Sequence, residues 1–301
     1  SCPSAAKGGA DGFDFLSNYT STSHEFASFP VEDYMCLPEG LTMVEAVGSS
    51  LSLPTPVTVE VDSGAQRDID TGAALMRGIG LDVDEMIEAP CLFKPTSCGY
   101  CKELDVDVKK DAVQQRLEEF PMTDEVASLI DEFQERLGLG PAPAFGDIDN
   151  YVDSESGYYS GGASIASQIS EYILMQMGGN LTFGWGELTR EDVYRYLETH
   201  IFYRGVQDRS LTLALRDHSY MSREILDTLK AGEGGTRIMV GHDGDLDALA
   251  EIFGLQWFTP PFPPNATTPG SGIRFDLDED GGVSVSLHYQ AFDGGDEVLF
   301  A

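Results

Sequence analysis

The sequence predicts an α/β fold with a smaller, mostly helical subdomain inserted into it. Three observations carry the prediction. Val57, Val59 and Val61 alternate as a strand and lead into a helical segment. Ile238, Met239 and Val240 form a second short apolar run, which breaks at Gly241 and turns into a helix where Leu246, Leu249, Ala250 and Phe253 fall at i, i+3, i+4 and i+7. Between them, from about residue 105, the pattern becomes helical for roughly a hundred residues. The expected division is therefore residues 1–104 and 206–301 as the α/β core, with 105–205 as the inserted helical part.

In chain order, residues 1–40 are rich in Ser, Thr and Gly, with Phe13 to Thr22 as a candidate first strand. Leu41 to Leu51 reads as a short helix ended by Pro54 and Pro56. After the valine strand comes Arg67, and Thr71 is the expected N-cap of the next helix. Met122-Thr123-Asp124-Glu125 opens a helix with Val126, Leu129, Ile130, Phe133 and Leu137 on one face and Gly138 as its stop. Leu139 to Gly162 reads as a long loop, a lid or partner surface. Ile165, Ile169, Tyr172 and Ile173 mark a further helix, and Thr189 with Asp192 is a capping-box signature for the one after it. Leu213 to Leu229 is a long helix ahead of the Ile238 strand. Ile273, Phe275 and Leu277, an acidic Gly turn at Asp278 to Gly282, and Val283, Val285, Leu287 and Tyr289 make a hairpin.

A strand that ends in Gly and passes into a helix delivers its polar side chains at the carboxyl edge of a sheet, where open α/β folds bind ligands. His242 and Asp243 occupy that position, and Asp245 is the expected N-cap. The plain alternative is a solvated turn in which Asp243 caps the helix and His242 is incidental.

The segment from Gly241 to Phe292 resembles the C-terminal part of histidine acid phosphatases, closest to the bacterial phytase and glucose-1-phosphatase branch. Its carriers are the G-H-D-x-x-L-x-x-L pattern, then Trp257, then a Pro-rich loop in which Asn265, Thr268, Pro269 and Gly270 stand for the family's N-T-P-P-G, then the hairpin. A second match, Val57 to Gly80, places Arg67, Thr71, Gly72, Ala73 and Gly78 near the family's R-T-x-x-T-G-x-A-F-x-x-G, and Ala89 to Cys101 echoes a Leu-Phe-x-Pro segment. The resemblance implies a phosphoglycerate-mutase-like three-layer sandwich. It implies Asp243 as proton donor, His242 as a phosphate-contacting His and Arg67 as a phosphate-holding Arg. The family's R-H-G-x-R-x-P is absent; the nearest candidate nucleophile is His24, in Ser23 to Pro30, which has neither arginine nor the Gly. Removing one charge-stabilising donor costs on the order of a hundred- to a thousandfold in rate. The expectation is a phosphatase fold with an impaired or inactive site, used as an extracellular binding or structural module. The alternative is an active phosphomonoesterase working through a phosphohistidine, its missing charge supplied by Arg204, Arg209 or Arg274.

Composition sets the compartment and the partners. Fifty-one acids against 18 bases give a net charge of −33, which argues against nucleic acid and anionic membranes and allows a phosphate ester only where Arg is concentrated. Such a surface suits solubility, repulsion between neighbours or cation binding, and a protein partner is the other expectation. No apolar run approaches the roughly 18 residues of a membrane span. Three of the four asparagines, Asn18, Asn180 and Asn265, lie in glycosylation sequons, so a secreted glycoprotein is expected, with any leader already removed. Five cysteines, Cys2, Cys36, Cys91, Cys98 and Cys101, predict two disulfides and one thiol left over or paired outside the chain. Cys98-Gly-Tyr-Cys101 has no partner motif for zinc, His200, His218 and His288 have no acid or Cys at ligand spacing, and neither metal nor cofactor is expected.

Overall fold

The structure, a computed structural model, describes residues 2–3, 31–32, 35–137 and 145–290 together with the backbone of a strand at 298–300. The candidate first strand, His24 and Asn18 lie outside the described residues. In chain order the elements are α1 (Pro38–Ser50), β1 (Val57–Val61), α2 (Gln66–Ile79), β2 (Ile87–Glu88), α3 (Pro90–Phe93), α4 (Val106–Glu119) and α5 (Asp124–Arg136). They continue as β3 (Tyr151–Val152), β4 (Tyr159–Ser160), α6 (Gly162–Gly178), α7 (Arg190–Gln207), α8 (Leu211–Ala231) and β5 (Thr236–Val240). The chain then runs through α9 (Asp243–Phe253), β6 (Gly272–Leu277), β7 (Val283–Gln290) and β8 (Val298–Phe300).

A parallel sheet ordered β2-β1-β5 forms the centre. Strand alternation sends Val59, Val61 and Val240 to one side, into the main core beside Val47 and Met76 of α1 and α2. Met239 goes to the other side, packing with Met221 of α8 and Leu249 of α9. Helices therefore cover both faces, as a parallel sheet requires. On the α8 side Arg237 bridges Glu60 of the neighbouring strand and Glu224 of α8, at 2.8 and 3.1 Å.

Glycine sets how closely α1, α2 and β1 approach. A Cβ at Gly78 would lie 2.1 Å from the Glu45 carbonyl of α1, and one at Gly72 would lie 2.5 Å from Val61 Cγ1. Both glycines of the family-like segment are thus packing contacts. Thr71 is not the helix N-cap: Ala65 holds that place, and Thr71 is buried one turn in, its hydroxyl donating to the Arg67 carbonyl at 2.6 Å. Thr71 Oγ1 also accepts from the Cys2 amide at 2.9 Å, which docks the early chain on α2 beside the Cys2–Cys36 disulfide. The pattern read at Thr71 is that of a hydroxyl reaching back inside a helix.

The central helices follow the sequence closely. Thr123 caps α5, whose Val126, Leu129, Ile130 and Phe133 are buried, and Thr189 with Asp192 completes both halves of the capping box of α7. The stretch from 139 to 162 is not a featureless loop: Phe145–Asp147 makes a 3-10 turn, β3 and β4 pair antiparallel, and Phe145 is fully buried. Residues 138–144 within it, including the Gly138 stop, lie outside the described residues. The main core runs without a break from α1 and α2 through α5, α6 and α7.

The predicted hairpin is β6 and β7, with Ile273 opposite Leu287, Phe275 opposite Val285 and Leu277 opposite Val283. Disulfides join Cys2 to Cys36 and Cys91 to Cys98, leaving Cys101 as the free thiol. No helix among the described residues is long and apolar enough to cross a membrane.

Candidate functional site

Parallel pairing aligns Val61 of β1 with Val240 of β5, so the residues that follow both strands emerge at one edge. The Asp62 amide still bonds to the Val240 carbonyl at 3.0 Å. Gly241 then carries the chain past Asp245 and Phe93, where a Cβ would sit 2.2 Å from Asp245 Oδ2. His242, not Asp245, occupies the N-cap position of α9, and Asp245 reaches back from the third helical residue to accept the His242 amide at 2.6 Å. The acid caps from within the helix because the chain enters through the His.

Arg67, in the first turn of α2, places Nη2 2.8 Å from His242 Nδ1. A guanidinium has only N–H groups to offer, so Nδ1 must present its lone pair and the ring proton sits on Nε2. That N–H faces Asp62 Oδ2 at 3.2 Å and Asp68 Oδ2 at 3.1 Å. Both carboxylates are fully buried. Burial pushes Asp62 upward, but the Lys94 ammonium at 2.9 Å and the Gly64 amide override it and hold the group below the usual carboxylate range. Asp68 accepts no hydrogen bond at either oxygen among the described residues, and burial raises its pKa.

Asp243, the first residue of α9, lies on the other side of the edge. Burial works to raise it, but Arg204, with help from His200 and Arg67, holds it far below the ordinary value, so it is ionised at every physiological pH. Arg204 Nη2 is 3.4 Å from Asp243, and its Nε is 3.1 Å from both Asp208 and Asp247. Arg209 adds a two-pronged contact to Asp247 Oδ1 at 3.1 and 3.0 Å, and its guanidinium lies over the Trp257 ring at 4.7 Å. Burial pushes Asp208 up to about 6. A cleft of about 300 Å³ opens here, bounded by His200, Arg204, Asp243 and Asn265 among others.

Against solved structures the chain aligns with the phytase of Klebsiella sp. ASR1 at a TM-score of 0.82, covering 96% of this chain and 81% of that one, at 17% identity. The chain has the histidine acid phosphatase fold of the phytases. The Citrobacter braakii phytase matches at 0.80 over 96% and 84% of the two chains with 20% identity. Hafnia alvei phytase, solved with myo-inositol hexakis sulphate, matches at 0.81 over 96% and 83% with 19% identity. No protein-family model and no curated protein sequence matches the chain.

On this phytase-like frame the tertiary structure brings Arg67, His242 and Asp243 to one edge, while His24 lies outside the described residues. Of the three spare arginines, Arg204 is at Asp243 and Arg209 is behind it on Asp247, but Arg274 is bound to Asp276 on the hairpin. Asn265 borders the cleft in a left-handed conformation, its side-chain oxygen accepting from the Trp257 amide at 3.1 Å, while Asn180 is exposed at the end of α6. Two histidines set aside on sequence spacing do have acidic neighbours: His218 Nε2 is 2.8 Å from Asp245 Oδ1, and His200 sits beside Glu171 and Asp243. Spacing along the chain could not find them, because each acid comes from a different helix. Asp62 and Asp68 were missed as well. Asp62 carried a usable signal, being the first residue beyond a strand at the ligand-binding edge.

Proposed function

We propose that this chain is an extracellular binding module on the phytase-type fold, with a phosphatase site too acidic to turn over phosphate esters. The observation that carries the reading is the environment of His242: Nδ1 is occupied by Arg67 and Nε2 faces two buried carboxylates. At this edge Arg67, Lys94, Arg204 and Arg209 are outnumbered by Asp62, Asp68, Asp208, Asp243, Asp245, Asp247 and Glu171. A transferring phosphoryl group needs the opposite balance. Asp243 would have to be protonated to serve a leaving alcohol, and Arg204 opposes that. The same reading takes residues 105–205 as the inserted helical subdomain, and Asn18, Asn180 and Asn265 as glycosylated in a secreted protein. The disulfides and the absence of a membrane-crossing helix among the described residues support it.

The second reading, an active phosphomonoesterase using a phosphohistidine, is favoured by the 2.8 Å contact between Arg67 and His242 at the ligand-binding edge. One assay separates the two. Purified protein is offered an aryl phosphate and phytate from acidic to neutral pH, beside His242→Ala and Asp243→Ala. The binding-module reading expects rates at background for all three proteins. Turnover by the parent that both substitutions abolish would establish the enzyme.

A further inference from the structure

We propose that the cleft beside Asp243 binds a first-row divalent cation through Glu171 of α6, His200 of α7 and Asp243 of α9. This deepens the non-catalytic reading above and rests on it, because a metal-bound Asp243 cannot act as a proton donor. One ligand atom from each of the three residues lies within 4.8 Å of the others. Bonds of about 2.0–2.2 Å to one ion need only a modest contraction of that triangle.

The imidazole of His200, one corner of this triangle, is buried. His200 is 8% exposed, and its Nδ1 is 3.0 Å from Ser167 Oγ. A hydroxyl can accept as well as donate, and in the tautomer whose Nδ1–H donates to Ser167 the Nε2 lone pair is the one left over. Nε2 makes no hydrogen bond among the described residues, and His200 borders the cleft. Ser167 stands one turn before Glu171 on α6, so one helix face provides both a ligand and the group that fixes the tautomer. A ring N–H held by an outer partner is the arrangement metal-bound histidines use.

Charge points the same way. Arg204 and Arg209 face Asp208, Asp243, Asp247 and Glu171, so carboxylates outnumber guanidiniums on this side of the edge. A divalent ion offsets that excess. One imidazole with two carboxylates suits zinc or manganese better than calcium, which prefers an all-oxygen shell.

The neighbouring cluster of Asp62, Asp68 and His242 has the same composition and a similar span. Its chemistry is wrong for a metal. Arg67 claims the Nδ1 lone pair, the proton is therefore on Nε2, and no nitrogen lone pair remains for an ion.

The test is calorimetric titration of the full chain, freed of metal with a chelator, with Zn²⁺ at about 0.15 M NaCl, where the acidic surface is screened beyond about 8 Å. We expect one saturable equivalent. Glu171→Gln, at a partly exposed position that leaves the fold intact, should weaken binding about tenfold or more, and Ser167→Ala should weaken it about tenfold through the tautomer. A titration without a saturable site overturns the inference. So does an affinity unchanged in Glu171→Gln, or one that is kept there and lost in Asp68→Asn. Turnover of an aryl phosphate by the metal-free chain refutes the non-catalytic reading instead, so the two failures are told apart.

Discussion

Replacing Arg204 with methionine tests the electrostatic account of the site most directly. Arg204 contacts Asp208 and Asp247 at 3.1 Å and Asp243 at 3.4 Å. At an effective dielectric of about 20, each such contact is worth about 5 kcal/mol gross, most of it cancelled by desolvation. Removing only the cation leaves the desolvation of the three acids uncompensated, which costs about 3–5 kcal/mol at neutral pH. The pH dependence follows from the signs. Without Arg204, the pKa of Asp243 rises toward or above its unfolded value, and Asp208, already pushed up to about 6, rises further. A group with a raised folded-state pKa contributes stability below its unfolded pKa and loses it as pH climbs through the folded one. The deficit of Arg204→Met should therefore be largest above pH 7 and shrink toward pH 4. Urea unfolding at several pH values measures it, with an expected midpoint shift of about 1 M or more at pH 7.5. A deficit that is constant from pH 4 to 8, or below about 1 kcal/mol at pH 7.5, would refute the claim that these acids depend on Arg204.

Three other outcomes are expected. Gly78→Ala drives a Cβ into the Glu45 carbonyl and should cost about 1–3 kcal/mol in urea unfolding, while the exposed turn position Gly281, with open space around its Cα but a positive φ, is not a suitable control. Asp62→Asn with Asp68→Asn removes both buried charges facing His242 and should raise affinity for inorganic phosphate about tenfold or more, read by calorimetry; unchanged affinity would mean that these acids do not set the anion balance. Alkylation of the unreduced, denatured chain followed by mass spectrometry should modify Cys101 alone, since the other four cysteines are paired.

Much of the fold was legible because its signals are local. The 3.6-residue apolar repeat of α5, the capping box of α7, and the alternation of β1, β6 and β7 each follow from a few adjacent side chains. Cap positions were less legible. Thr71 and Asp245 both belong to residue types that cap helices, but the Thr71 hydroxyl donates to a carbonyl inside α2, while Asp245 caps α9 from its third position. Residue type gives the chemistry of such a bond, and the entry angle of the chain decides which residue takes the cap. At the site, Arg67, His242 and Asp243 could be named from motifs and Arg204 as one of three spare arginines, while Asp68, Glu171 and His200 acquired their roles only when separate elements met.

The sequence by itself determined the element order, the apolar faces, the excess of acid and the residues that follow each sheet strand, because these depend on side-chain type and short-range spacing. Only the tertiary structure decided the charge state of the edge. The parallel register of β1 and β5 sets Asp62 beside His242, although 180 positions separate them in the chain. The crossing of α6, α7 and α9 likewise brings Glu171, His200, Arg204 and Asp243 together. Coulomb energy depends on distance through space and on access of water, and neither can be read along a chain.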